Sequence, residues 1–126
     1  MTMFLYAAIG GAIGAAARYG VNVTAPKLLG HGFPWATMIV NVAGSFVMGL
    51  LIAIMALAWN TSQEMRVFLA TGVLGGFTTF SAFSLDFVAL YERKEYGLAF
   101  GYAGSSVVMS LIAVFAGLYL ARTVFQ

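Results

Sequence analysis

Gly72-Val73-Leu74-Gly75-Gly76-Phe77-Thr78-Thr79-Phe80-Ser81-Ala82-Phe83-Ser84 lies inside an apolar segment long enough to cross a bilayer, yet it carries residues that such a segment ordinarily avoids. The adjacent glycines each lower helical preference by about 1 kcal/mol relative to alanine, and hydroxyls follow at Thr78, Thr79, Ser81 and Ser84. The stretch therefore predicts a helix that opens near its middle. Backbone opened at that depth must be buried in protein or line a water-filled cavity, because hydrocarbon offers it no hydrogen bonds. Phe80 and Phe83, three positions apart, fall on one helical face, interleaved with the hydroxyls of Thr79, Ser81 and Ser84.

The surrounding chain sets this stretch in a membrane. Of 126 residues, 62% are hydrophobic and only 8% charged, where about 25% charged is ordinary for a soluble domain. Four apolar stretches, from about Met3 to Val23, Pro34 to Trp59, Met65 to Tyr91 and Tyr96 to Ala121, each reach the roughly 20 residues that a spanning helix needs. The expected fold is an all-α integral membrane protein with four transmembrane helices, the third broken near its middle, in a single domain over residues 1–126. The connections, Thr24 to Phe33, Asn60 to Glu64 and Glu92 to Glu95, are short enough to make neighbouring helices antiparallel and leave no room for a soluble domain.

Several function classes fall away at once. A net charge of +2 is spread thinly over loops and helix ends, so there is no basic patch to neutralise phosphates and nucleic acid is not an expected partner. The absence of cysteine removes disulfides and thiolate metal sites. Ala15-Ala16-Ala17 imitates a signal cleavage site, but Met1 to Leu5 carry no Lys or Arg, and cleavage is not expected.

Along the spans, small and polar residues stand out. Gly10 with Gly14, and Gly11 with Ala15, smooth one side of the first helix for close packing; Gly97 with Gly101 and Ser45 with Gly49 repeat the spacing in the fourth and second. Arg18 has two readings: it snorkels to the headgroups, or it faces a water-filled vestibule where its charge attracts anions. Asn41 needs a partner in another helix or in water, either as interhelical glue or as part of an ion path. Tyr102, Ser106 and Ser110 recur every four residues as a ladder of hydroxyls. Asp86, the only acid inside a span, lies near the end of the third helix, where a capping or interfacial role is expected.

With no acid in the first two spans and no histidine in any, proton-coupled transport lacks its usual carriers. What gathers at the centre is a set of neutral donors, Asn41, Thr79, Ser81, Ser84 and Ser110, beside phenyl rings whose edges are partly positive. That combination suits a small, hard anion. Basic residues number two on the amino-terminal side, Arg66 and Arg122, against Lys27, Arg93, Lys94 and the nearby Arg18 on the other. So slight a bias permits insertion in both orientations, and with them an antiparallel dual-topology homodimer.

Three elements, in order, resemble the Fluc (CrcB) family of small bacterial fluoride channels. Gly75-Gly76-Phe77-Thr78-Thr79-Phe80-Ser81-Ala82-Phe83-Ser84 is similar to its GG-x-TTFS-x-FS signature, Asn41-Val42-Ala43-Gly44-Ser45 to its N-x-x-G-[ST] element, and Gly14-Ala15-Ala16-Ala17-Arg18-Tyr19 to its G-A-x-x-R-[YW] element. The resemblance covers nearly the whole chain. It implies an antiparallel homodimer with two pores that passes fluoride passively out of the cell across the inner membrane, in contact with lipid. It also implies that Phe80 and Phe83 line the ion path with Asn41 beside them, that Ser110 belongs to a polar track, and that Arg18 is the basic residue at the end of the first helix. Val114, one turn beyond Ser110, departs from the hydroxyl that some relatives carry. Gly75 and Thr78 match positions whose backbone carbonyls, from both subunits, hold a structural sodium ion. A broken helix leaves carbonyls without partners, and two breaks meeting on a two-fold axis would offer oxygens to one hard cation.

Two other readings compete. A small dual-topology multidrug exporter needs a membrane-embedded carboxylate, which the first helix lacks. A non-transporting membrane assembly subunit would need no hydroxyls and aromatics gathered at a helix break.

Overall fold

The computed structural model describes residues 2–125, and every regular element among them is helical. Helix α1 spans Thr2–Leu29, α2 Trp35–Leu57, α3 residues 63–77, α4 Ser81–Glu92 and α5 Tyr96–Phe125. With α3 and α4 taken as one span, Gln63–Glu92, four helical stretches among the described residues are long and apolar enough to cross a membrane.

The ends of these helices follow from a few residues. α1 continues past Val23, where the sequence suggested an end, and takes Pro26 into its last turn. Its stop signal is Gly30, which adopts φ 87° and donates its N–H to the Pro26 carbonyl at 2.9 Å, a left-handed cap that glycine enters without steric cost. Pro34 directly precedes α2. Exposed Trp35 opens that helix, and exposed Trp59 lies just past its end, the placement of an interfacial aromatic belt. α3 starts on Ser62, whose hydroxyl accepts the Met65 N–H at 3.2 Å. It then winds as a π-helix over Val67–Leu74 and closes with one α-helical turn at Gly75–Phe77. Thr78 is extended (φ −84°, ψ 158°), and helix resumes at Ser81. Between α4 and α5 the chain turns through Lys94 at φ 64°, flanked by an exposed Arg93–Glu95 ion pair of 3.2 Å.

Two backbone-on-backbone seams hold the bundle. α1 lies against α3: a Cβ on Gly14 would collide with the Val73 carbonyl, and one on Gly72 would sit 2.8 Å from the Gly10 Cα. α2 lies against α5: Gly49 meets the Val114 carbonyl and Gly117 meets the Phe46 carbonyl. In lipid the hydrophobic effect does not drive helices together, so such close contact supplies the dispersion energy that does. Gly97 and Gly101, grouped with these by spacing, have no atom within 4 Å of a built Cβ and face outward. Spacing alone does not reveal which side of a helix a neighbour occupies. Around the second seam Met38, Leu90, Ala99 and Tyr102 form a buried cluster, with Phe33, Val42, Phe83 and Phe87 packed against it.

Candidate functional site

The interruption at residues 78–80 is defined by where its backbone hydrogen bonds go. In an α-helix each N–H binds the carbonyl four residues earlier, so Thr79 N–H should serve Gly75 and Ala82 N–H should serve Thr78. Instead Thr79 N–H donates to Asn41 Oδ1 at 2.8 Å, while Asn41 Nδ2 donates back to the Thr79 carbonyl at 3.0 Å. Ala82 N–H donates to Thr79 Oγ1 at 3.1 Å and so starts α4. The donors that a helix would supply to the Gly75 and Thr78 carbonyls are both engaged elsewhere. The Gly76 carbonyl receives Arg18 Nε at 3.1 Å. Thr78 folds back, its N–H and its hydroxyl each donating to the Leu74 carbonyl at 3.0 Å.

Arg18 therefore reaches inward. Its side chain is half-buried and holds the end of α3, rather than extending to the headgroups; a guanidinium there also complements the negative end of the helix dipole. Asn41 likewise does more than join two helices, since its amide pairs with both backbone polar groups of one residue, Thr79, at the interruption.

A groove of about 410 Å³ opens beside this point, lined by Asn41, Ser45, Thr79, Phe80, Phe83, Ser106, Ser110 and Val114, with no charged residue on its wall. Five of the seven residues expected beside an ion path, Asn41, Thr79, Phe80, Phe83 and Ser110, thus share one surface. Ser81 and Ser84 are exposed outside that lining, although Ser81 Oγ lies 3.4 Å from Thr79 Oγ1. The rings of Phe80 and Phe83 lie 5.5 Å apart at 44°, and Phe80 is 75% exposed on the single chain. Of the hydroxyl ladder on α5, Tyr102 and Ser106 are buried, Ser106 donating to Met38 Sδ at 3.4 Å, and Ser110 reaches the groove.

Of the two roles expected for Asp86, capping is not the one observed. It caps no helix end: Oδ2 accepts the Thr37 hydroxyl at 2.6 Å and the Tyr102 hydroxyl at 3.2 Å, tying α4 to α2 and α5. A lone acid near a helix end looks the same in sequence whether water or two neighbouring helices surround it. Thr37 carried no signal at all. Above the network, toward the connections that follow α1 and α4, lies a second cavity of about 470 Å³, lined by Asn22, His31, Trp35, Thr37, Asp86 and Arg93 among others.

Residues 5–118, which contain the whole groove, match the family model described as CrcB-like protein, Camphor Resistance (CrcB). The chain belongs to this family. It is 56% identical over 118 residues, 94% of each chain, to the fluoride-specific ion channel FluC of Agrobacterium fabrum. It is 53% identical to the proteins of that name from Mesorhizobium japonicum, over 98% of each chain, and Hyphomonas neptunium, over 99% of each. Family membership extends over all four spans, so the interruption, the Asn41 clamp and the groove all lie within the shared region.

Proposed function

We propose that this protein is a fluoride channel of the bacterial inner membrane, exporting fluoride passively and relieving its toxicity; it conducts and is not an enzyme. The observation that carries the reading is the groove, where the Asn41 amide, the hydroxyls of Thr79 and Ser110 and the rings of Phe80 and Phe83 converge on an interrupted span without a formal charge. Neutral donors and partly positive ring edges favour a small anion, and the lack of carboxylates on the wall gives a cation nothing to hold. In this reading the break in the third helix opens the path. Ser81 and Ser84 belong to its approach, and Arg18 fixes the break and adds positive potential to the vestibule.

The groove also requires a second subunit. Phe80 and Ser81 are exposed on the single chain at the centre of a span, and polar surface at that depth is not left against lipid. An antiparallel homodimer closes it, with one pore on each side, and the slight charge bias of the connections supports both orientations. At the dimer centre the carbonyls of Gly75 and Thr78, whose helical donors are engaged elsewhere, fit an oxygen-ligated sodium ion. Bound there, the ion would take the place of the missing hydrogen bonds.

The purified protein in liposomes, with a fluoride electrode outside, tests the channel. Fluoride efflux without a proton gradient is expected, with little chloride efflux. Efflux of a cationic drug, or none of these, would give the protein to the exporter or to an assembly subunit.

A further inference from the structure

The Thr37–Asp86–Tyr102 network stands between the two cavities. On α2, Thr37 lines the outer cavity and Asn41, one turn on, lines the groove; on α4, Asp86 lines the outer cavity and Phe83, one turn back, lines the groove. Tyr102, fully buried, fills the position between, its hydroxyl on Asp86 and its ring 5.2 Å from Phe83. Three helices thus each place one residue in the partition, and a helical turn rises only about 5.4 Å. An anion moving from the outer cavity to the groove meets this partition first.

We infer that Asp86 is a stand-in anion: its carboxylate occupies a site built from the Thr37 and Tyr102 hydroxyls, and fluoride takes both donors from it during passage. The chemistry of the site supports this. Two hydroxyl donors converge on the single oxygen Oδ2, and the same two donors are of the kind a small, hard anion accepts. Hydrogen bonds to an ionised acceptor are about twice as strong as neutral ones, so the carboxylate holds the donors firmly until a competing anion arrives. Asp86 then sets the concentration of fluoride at which the path fills.

The inference rests on the fluoride-channel reading, and the experiment separates the two. Asp86 is the only aspartate in the chain, so aspartate labelled with ¹³C at its carboxyl carbon reports this one group in the intact, reconstituted protein. Fluoride should shift its resonance along a saturating curve and equal chloride should not. In the flux assay Asp86→Asn, a weaker acceptor of the same shape, should lower the half-saturating fluoride concentration by about three- to tenfold, the range one hydrogen bond commands. Adding Tyr102→Phe and Thr37→Val should cancel that gain. An unmoved ¹³C signal in protein that conducts fluoride overturns the inference and leaves the channel intact. So does a gain that survives loss of both hydroxyls, which would make Asp86 a source of repulsion only. Should Asp86→Asn not assemble, the ¹³C titration of the unaltered protein decides. Wild-type protein that releases no fluoride would instead overturn the channel reading itself.

Discussion

The two helical halves of the third span are built on opposite principles. Residues 63–77 lie on α1 largely through bare backbone, where Gly10, Gly14, Gly72 and Gly76 bring main chains into contact and the Arg18 side chain closes the end of the seam on the Gly76 carbonyl. Ser81–Glu92 meets α2 and α5 through large and polar side chains, with Phe83 against Tyr102, Phe87 against Phe100 and Asp86 on two hydroxyls. The first half is a fixed support, and its glycine contacts with α1 leave no space for an added atom. The second presents the side chains that the proposed channel would use, and altering them is expected to leave the helices together.

That contrast breaks most readily at Gly14. Gly14→Val would force branched carbons into the Val73 carbonyl and the Phe77 N–H, at a cost of about 3 kcal/mol or more for backbone that cannot yield. Loss of the folded species in size-exclusion chromatography and of all flux is expected; a well-folded, conducting Gly14→Val would show that the α1 seam is not a fixed support.

Phe80→Ile and Phe83→Ile probe the other half. Isoleucine keeps bulk but lacks a polarised ring edge, so each variant should assemble normally while fluoride efflux falls close to that of protein-free liposomes. If both conduct as the parent does, the rings serve packing alone.

A smaller effect is expected at Asn41, which joins the two halves. Asn41→Asp keeps the acceptor for Thr79 N–H, loses the donor to the Thr79 carbonyl and places negative charge on the groove wall. Its flux should fall below that of Asn41→Ser, which loses the clamp but adds no charge. The reverse order would make the clamp, and not the electrostatics, the decisive property.

The smallest change is expected at Gly101, the outward-facing counterpart of Gly14. Nothing lies within 4 Å of the place a Cβ would occupy there, so Gly101→Ala meets no clash and should change the stability of the single chain only by the helical preference of alanine over glycine, a gain of up to about 1 kcal/mol. A large loss of dimer with an unchanged monomer would place this face in the subunit contact.

Much of this was legible in the chain. Four spans follow from hydropathy and length, because a bilayer admits few backbone arrangements and each announces itself as an apolar run. The glycines and hydroxyls from Gly75 to Ser84 marked the place where helix gives way, since local propensity there opposes a continuous helix whatever lies nearby. Gly30, and not the end of the apolar stretch at Val23, ended α1, because a cap depends on one residue's access to positive φ rather than on hydropathy.

What the sequence determined by itself was local: the spans, the interruption, and the kinds of side chain available beside it. Tertiary structure alone decided which of them meet. It brought Asn41 onto the backbone N–H and carbonyl of Thr79, Arg18 onto the carbonyl of Gly76, and Thr37 and Tyr102 onto one oxygen of Asp86. It also turned Gly97 and Gly101 outward while burying Gly49 and Gly117 at the same kind of spacing. The reason is geometric: helical period says which residues share a face, whereas the rotation of one helix against the next is set by which small residues let two backbones touch.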